Sequence, residues 1–355
     1  MFKKVVIALF LLLLTVVYVK RDKIIRLFAE DTRTVNKTEV KLLLRQDPSF
    51  IELANLLIEK GILADKKHFE EFVNDNQIDT NKFAAGKYVI LSKTQLGSLV
   101  KGFVKGLNGH GSAEVKVNVV FNNCPTIEAM CKNIGQCILA DSSELASYIF
   151  SQETLNKYHF TKEQIPAMFL PKDCEMYFDT DAETFVAYMA REFKSFWNAE
   201  RMRKMKTIGL KSPSEVSTLA SIVYSEQSKD NGEWPTIAKL YLNRVQKRMK
   251  LESDPTFKFC WGDELKGVED LRYRHRDIDC PYNTYHIVGL PPGPIYISPS
   301  NVLEAVLNPS NVSYLFMMAK PGGQAHNFAI TNRQHERNVA VYRKWFREYK
   351  RNKNT

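Results

Sequence analysis

The apolar positions of this chain change rhythm along its length, and each rhythm predicts a different element. Residues 5–19 are free of charge, with Lys3 and Lys4 before them and Lys20 and Arg21 after. This run is shorter than the ~20 residues that span a bilayer comfortably. Lysines that snorkel at both ends can cover the deficit. A cleaved signal peptide has an apolar core of similar length, but Lys20-Arg21-Asp22-Lys23 follows where a small-x-small processing site belongs. The pattern therefore predicts an uncleaved single membrane helix over residues 1–22. Lys20, Arg21, Lys23 and Arg26 outnumber Lys3 and Lys4, and by the positive-inside tendency that asymmetry alone leaves the body on the cytoplasmic side.

Residues 24–45 read as a polar connector. Apolar residues then recur at helical spacing between Asp47 and Gly61, with Ser49 as N-cap and Gly61 as C-cap. A short helix is expected around residues 66–74, an extended stretch over 86–91, and a helix around 94–104. The Gly- and Ser-rich run 106–112 has the composition of a linker. These signals divide the chain into a small module over 45–106 and a larger domain over 113–350. Residues 115–121 alternate as a strand and lead into helical segments up to about residue 156. One long amphipathic helix is expected over 182–203, in which Phe196, Trp197 and Met202 read as core. The fold class expected is α+β.

The segment 212–226 opens with Ser212, Pro213 and Glu215, an N-cap hydroxyl, a first-turn proline and a carboxylate placed to close a capping box. Val216, Leu219, Ala220, Ile222 and Val223 then define an apolar stripe, and Glu226 falls on it. Burial disfavours the charged form of a carboxyl and raises its pKa, which is how a general acid able to work near neutral pH is made. The plainer reading ends the helix near Glu226 and lets the side chain reach water or a lysine. A second amphipathic helix follows from Trp234, with Ile237, Leu240, Tyr241 and Val245 inward.

Composition changes this picture little. With 44% hydrophobic and 25% charged residues over 355 positions, the chain is ordinarily globular. The formal net charge of +10 suits anionic lipid or an anionic polymer. No helix-turn-helix, zinc-finger or basic-aromatic strand pattern accompanies it, so nucleic acid is not an expected partner. Six cysteines permit disulfides without specifying their pairing. Their spacing matches no zinc knuckle, and neither a metal nor a cofactor is expected.

The order of short motifs carries more. After the Leu219-Ala-Ser-Ile-Val-Tyr-Ser-Glu226 helix come Asn243-Arg244, Asp254-Pro255-Thr256, Tyr282-Asn283-Thr284-Tyr285, Gly289-Leu-Pro-Pro-Gly-Pro294 and His326-Asn327-Phe328. This order, over roughly residues 170–345, resembles the YceG-like family of endolytic murein transglycosylases. The 169–177 segment departs from the family pattern, with Cys174 in place of an aromatic, which leaves the role of Glu175 open. The resemblance implies a membrane-anchored enzyme whose body faces the cell wall across the inner membrane. It also implies that 45–106 is a LysM-like module, either glycan-binding or merely a spacer, and that 113–350 is catalytic. Peptidoglycan glycan strands, penicillin-binding protein synthases and membrane lipid are the implied partners.

Glu226 then takes the role of single acid and base of a lytic transglycosylase, which closes a 1,6-anhydro ring on the sugar without consuming water. Asn243, Arg244, Asp254, Thr256, Tyr282, Asn283, Thr284, Tyr285 and His326 become candidate substrate contacts, His326 being equally readable as a structural hydrogen-bonding residue. Asp254 can also orient Arg244, and the proline after it favours extended or turn geometry. The rival readings are a lysozyme-type hydrolase pairing Glu226 with Asp254 or Glu233, since hydrolysis normally needs two carboxylates, and a non-catalytic glycan-binding scaffold of the wall-synthesis machinery.

Overall fold

The structure, a computed structural model, describes residues 39–353 apart from 92, 93, 108, 123, 266 and 269–272. The anchor expected over residues 1–22 lies outside these. Among the described residues, no helix is long and apolar enough to cross a membrane. The fold is α+β, mostly helical, with three two-stranded sheets among the described residues. The chain forms two compact units, the first comprising residues up to Asn118 together with Glu175–Thr180, the second Val119–Cys174 and Asp181 onward.

In the first unit, β1 (Glu39–Leu44) pairs antiparallel with β2 (Gly86–Leu91). The connector expected over 24–45 therefore ends in a strand, because Leu42 and Leu44 alternate inward and need a sheet partner. Between the strands lie α1 (Phe50–Glu59) and α2 (Lys66–Asp75); α3 (Leu96–Phe103) follows β2. Ser49 and Glu52 form a full capping box at α1, and Leu53, Leu57, Phe69, Phe83 and Phe103 fill the core. The run 106–112 is a tight turn of this unit rather than a linker. Gly106 N–H donates to His110 O at 2.7 Å, Ser112 N–H to Val104 O at 3.1 Å, and Gly109 supplies the positive φ the turn requires.

The division between the units falls within β3 (Lys116–Val120) and β4 (Asp173–Tyr177), which pair with each other. The second unit continues with α4 (Ile127–Ile134), α5 (Ser142–Ile149) and α6 (Gln152–Tyr158). Glu175 is exposed. The long helix expected over 182–203 is two, α7 (Ala182–Phe196) and α8 (Ala199–Thr207). Trp197 leaves helical geometry at ψ 61° with its ring buried, and the Asn198 side chain accepts from Arg201 N–H at 3.0 Å to cap a new helix.

At the centre lies α9 (Pro213–Glu226), buried on nearly every face from Ser214 to Val223. Its Ser212 cap accepts from Glu215 N–H, but the Glu215 carboxylate accepts from Lys211 N–H instead of closing the expected box. Small polar residues let neighbours approach closely: Thr218 and Ser221 hydroxyls donate back to the carbonyls of Ser214 and Thr218, and Ser221 Oγ accepts from Ile295 N–H at 3.0 Å. Around α9 pack α10 (Trp234–Gln246), α11 (Asp254–Trp261) and, beyond the short α12 (Tyr273–Arg276), α13 (Ser300–Leu307). The Gly289–Pro294 turn needs its second glycine, since a Cβ on Gly293 would sit 1.9 Å from Glu163 O. A β5 (Phe316–Ala319) and β6 (His326–Ala329) hairpin and α14 (Asn332–Lys353) complete the unit.

Leu219 is wholly buried at the heart of this cluster. Leu219→Ala is expected to cost about 2–5 kcal/mol, the usual range for a core truncation that leaves a cavity, read as a lower urea midpoint. A cost below 1 kcal/mol would show that α9 is not the packing centre.

Candidate active site

Glu226 is the last residue of α9, where the helix emerges from the core onto the floor of a cleft of about 790 Å3. Its side chain is partly buried and lines that cleft. Tyr241 from α10 donates its hydroxyl to Glu226 Oε1 at 2.8 Å, and Ser253, at the N-cap of α11, donates to the same oxygen at 2.5 Å. Both bonds fall on Oε1. Burial pushes the Glu226 carboxyl upward, aided by the nearby Asp254 charge; the Ser253 and Tyr241 hydrogen bonds and His326 oppose it without cancelling it. Burial, then the Glu226 charge, pushes the Tyr241 hydroxyl well above its ordinary value. It therefore remains a neutral donor.

The β5–β6 hairpin brings His326 to the cleft. Its backbone N–H donates to Glu233 Oε1 at 2.8 Å and its Nδ1 lies 2.7 Å from Glu233 Oε2. Burial alone would raise the Glu233 carboxyl, but the two His326 bonds and a third from Gln227 Nε2 outweigh it and hold Glu233 below the usual range. An ionised carboxylate only accepts, so the Nδ1 proton faces Glu233.

Asp254 opens α11 as a helical residue, because Pro255 suits the first helical turn and Ser253 takes the cap position. It takes neither the extended nor the turn geometry expected for it. It accepts from the Tyr285 hydroxyl at 2.6 Å and lies 3.4 Å from Arg276, whose guanidinium stands 4.9 Å over the Tyr285 ring. Asp254 does not orient Arg244. That role belongs to Glu252 and to the carbonyls of Lys250, Leu251 and Leu315, which take the Arg244 donors at 2.6–3.1 Å.

The motif residues thus separate. Glu226, Arg244, Asp254, Tyr285 and His326 line the cleft. Asn243, Thr256, Asn283 and Thr284 are buried framework. Asn243 Nδ2 donates to Val312 and Tyr314 carbonyls. Thr256 and Thr284 share a 2.8 Å hydroxyl contact, and Thr284 Oγ1 accepts from Ser253 N–H at 2.9 Å. Asn283 donates to the carbonyls of Arg276 and Ile278 and accepts from Tyr285 N–H. Tyr282 lines a different cavity of about 330 Å3, with Phe259, Phe150 and Lys162. A Cys260–Cys280 disulfide ties α11 to this loop, across a sequence separation of 20.

Motif reading overlooked Tyr241, counted only as core, together with Ser253, Arg276 and His335. It also overlooked the α14 face that carries Tyr342, Arg343 and Phe346 into the cleft wall. Tyr241 had a signal: a tyrosine on the inward stripe of a buried helix needs a partner for its hydroxyl, and Glu226 is the nearby unpaired acceptor.

The profile of the YceG-like family matches residues 42–341, and the chain belongs to that family. An endolytic murein transglycosylase of Bacillus subtilis (strain 168) is 24% identical over 332 residues, 86% of each chain. One from Streptococcus pneumoniae serotype 2 is 22% identical over 285 residues, covering 73% of this chain and 50% of that one. The crystal structure of a putative YceG-like protein from Listeria monocytogenes shares the fold, with a TM-score of 0.54 at 21% identity over 85% of this chain and 99% of that one.

The raised carboxyl has a stability consequence of definite sign. Folding lifts Glu226 above its ordinary 4.5, so the folded protein keeps a proton that the unfolded chain has released. Wild-type stability therefore falls as pH rises from about 4.5 through the folded-state value, then levels off. Glu226→Gln escapes this penalty. Its stability relative to wild type should climb over that interval and be unchanged below it, as read by urea midpoints between about pH 4 and pH 8. A difference that is flat with pH would show that the carboxyl titrates normally.

Proposed function

We propose that this chain is a peptidoglycan lytic transglycosylase that cleaves within glycan strands, with Glu226 as its single acid and base. The observation that carries the reading is Glu226 itself: a carboxyl whose burial favours the protonated form, held through one oxygen by two hydroxyls and lining the cleft. The similarity to endolytic murein transglycosylases over most of the chain supports the substrate class. In this reading the Glu226 carboxyl protonates the glycosidic oxygen between MurNAc and GlcNAc as the bond to C1 breaks. The resulting carboxylate takes the proton of the MurNAc 6-hydroxyl, which attacks C1 and closes the 1,6-anhydro ring. Atoms balance without water, and Glu226 ends protonated.

His326, Arg244, Asp254 and Tyr285 are the proposed sugar and peptide-stem contacts. Asn243, Thr256, Asn283 and Thr284 act through them as positioning residues. The hydrolase reading requires a second free carboxylate. Glu233 is committed to His326 and Asp254 to Tyr285 and Arg276, which favours the single-carboxylate mechanism.

General acid–base loss typically costs about 10²–10⁴-fold. Glu226→Gln should lie at or beyond the upper end, because one group serves both halves of the reaction, while Asp254→Asn should be milder. The measurement is turnover of purified glycan strands with mass spectrometry of the ends. Anhydro-muramyl ends are expected. Reducing ends, with the two variants equally impaired, would mean a hydrolase, and a folded Glu226→Gln of near-normal activity would remove Glu226 from the chemistry altogether.

The proposed setting is the inner membrane, with residues 1–22 retained as the anchor, the body on the outer side, and penicillin-binding protein synthases and membrane lipid as neighbours. The first unit is proposed to position the glycan strand as a LysM-like module. The Cys260–Cys280 disulfide supports an oxidising compartment. Non-reducing peptide mapping of chain isolated from native membranes should recover both the intact N-terminal peptide and the Cys260–Cys280 pair. A mature N-terminus beyond Val19, or fully reduced thiols, would overturn this placement.

A further inference from the structure

The first unit carries a side-chain cluster that plays no part in the cleft. His110, Glu114 and Asp179 each offer a ligand atom within 4.8 Å of the others. His110 Nδ1 lies 2.6 and 2.7 Å from the two Asp179 carboxylate oxygens and 3.7 Å from Glu114 Oε2. The Glu114 side chain has no exposed area, and its Oε2 has no hydrogen-bond partner. A buried acceptor left in that condition is costly, because it has lost water without gaining a hydrogen-bond donor. Burial, then the Asp179 charge, pushes the Glu114 carboxyl up to about 7.

We infer that His110, Glu114 and Asp179 form a binding site for a divalent transition-metal ion, with Zn2+ the best match to the donors. One imidazole nitrogen with two carboxylates is a borderline donor set; Ca2+ and Mg2+ prefer oxygen alone. Zn2+ bonds of roughly 2.0–2.2 Å put tetrahedral donors about 3.4 Å apart. The His110–Glu114 separation is already close to this, and Asp179 needs to withdraw by less than about 1 Å. Three protein donors leave a fourth position for water.

The ligands are held from behind, as metal ligands generally are. The His110 ring stacks on Tyr177 at 4.1 Å between centroids, and Glu114 Oε1 accepts from Asp179 N–H at 3.3 Å. His110 and Glu114 belong to the turn after α3, whereas Asp179 follows β4, so the ion would clip two distant chain segments together.

The test is Zn2+ titration by calorimetry of the full chain in detergent, stripped with a chelator and with free thiols alkylated, alongside thermal melts. Wild type should bind a single ion saturably and melt several degrees higher with excess Zn2+. Glu114→Gln and His110→Asn should weaken binding at least tenfold, with far-UV circular dichroism establishing that they fold. The absence of saturable binding to wild type overturns the proposal, and so does binding that both folded variants retain. Either result would leave the cluster as an imidazole ion-paired with two carboxylates.

Discussion

The second unit is organised around one unfavourable placement, a carboxyl at the end of the most deeply buried helix. Desolvation favours the protonated form of Glu226. Its position at the C-terminal, negative end of α9 acts in the same direction. Two hydroxyls from different elements then fix its orientation, Tyr241 from α10 and Ser253 from the cap of α11. Both bonds meet the same oxygen, Oε1. Moving α10 or the 253 turn would disturb the acid before it disturbed the core.

Neighbouring carboxylates are tuned in opposite directions by their partners. Glu226 has hydroxyl donors, which hold either protonation state, and burial decides the outcome. Glu233 is half-buried, but it receives two bonds from His326 and one from Gln227, and these decide for the anion. Gln227 directly follows Glu226 and also donates to Gln324 O on the hairpin approach to His326. The acid and the histidine of the cleft are therefore registered through a single side chain between them.

The framework residues explain why so many polar positions recur in the motif strings without touching the cleft. A loop that must present Tyr285 beside Asp254 has many backbone groups to satisfy away from water. Thr256, Thr284 and Asn283 satisfy them, and the Cys260–Cys280 bond restrains the same region covalently. Arg244 does comparable work, joining α10 to the residue before β5 and to the turn before α11. Its donors are taken by carbonyls and by the Glu252 carboxylate, which hold the guanidinium in place beside the cleft.

Local pattern was enough for the elements whose cause is local. The α1 helix with its Ser49 box, the start of α9 at Ser212 and Pro213, and the β2 and β3 strands follow from caps and periodicity within a few residues. The misplacement of Glu226 on an apolar stripe was legible for the same reason. Where the reading failed, the deciding partner was far away in sequence. The β1 strand needs β2, the glycine-rich 106–112 run closes a turn against α3, and the break at Trp197 depends on a ring finding the core. The motif strings could not divide cleft residues from framework, since Thr256 and Tyr285 are equally polar on paper. Only the tertiary structure sets which polar atom meets another buried group and which meets solvent, because that choice is made by chain segments packing against each other and not by the residues that carry the atoms.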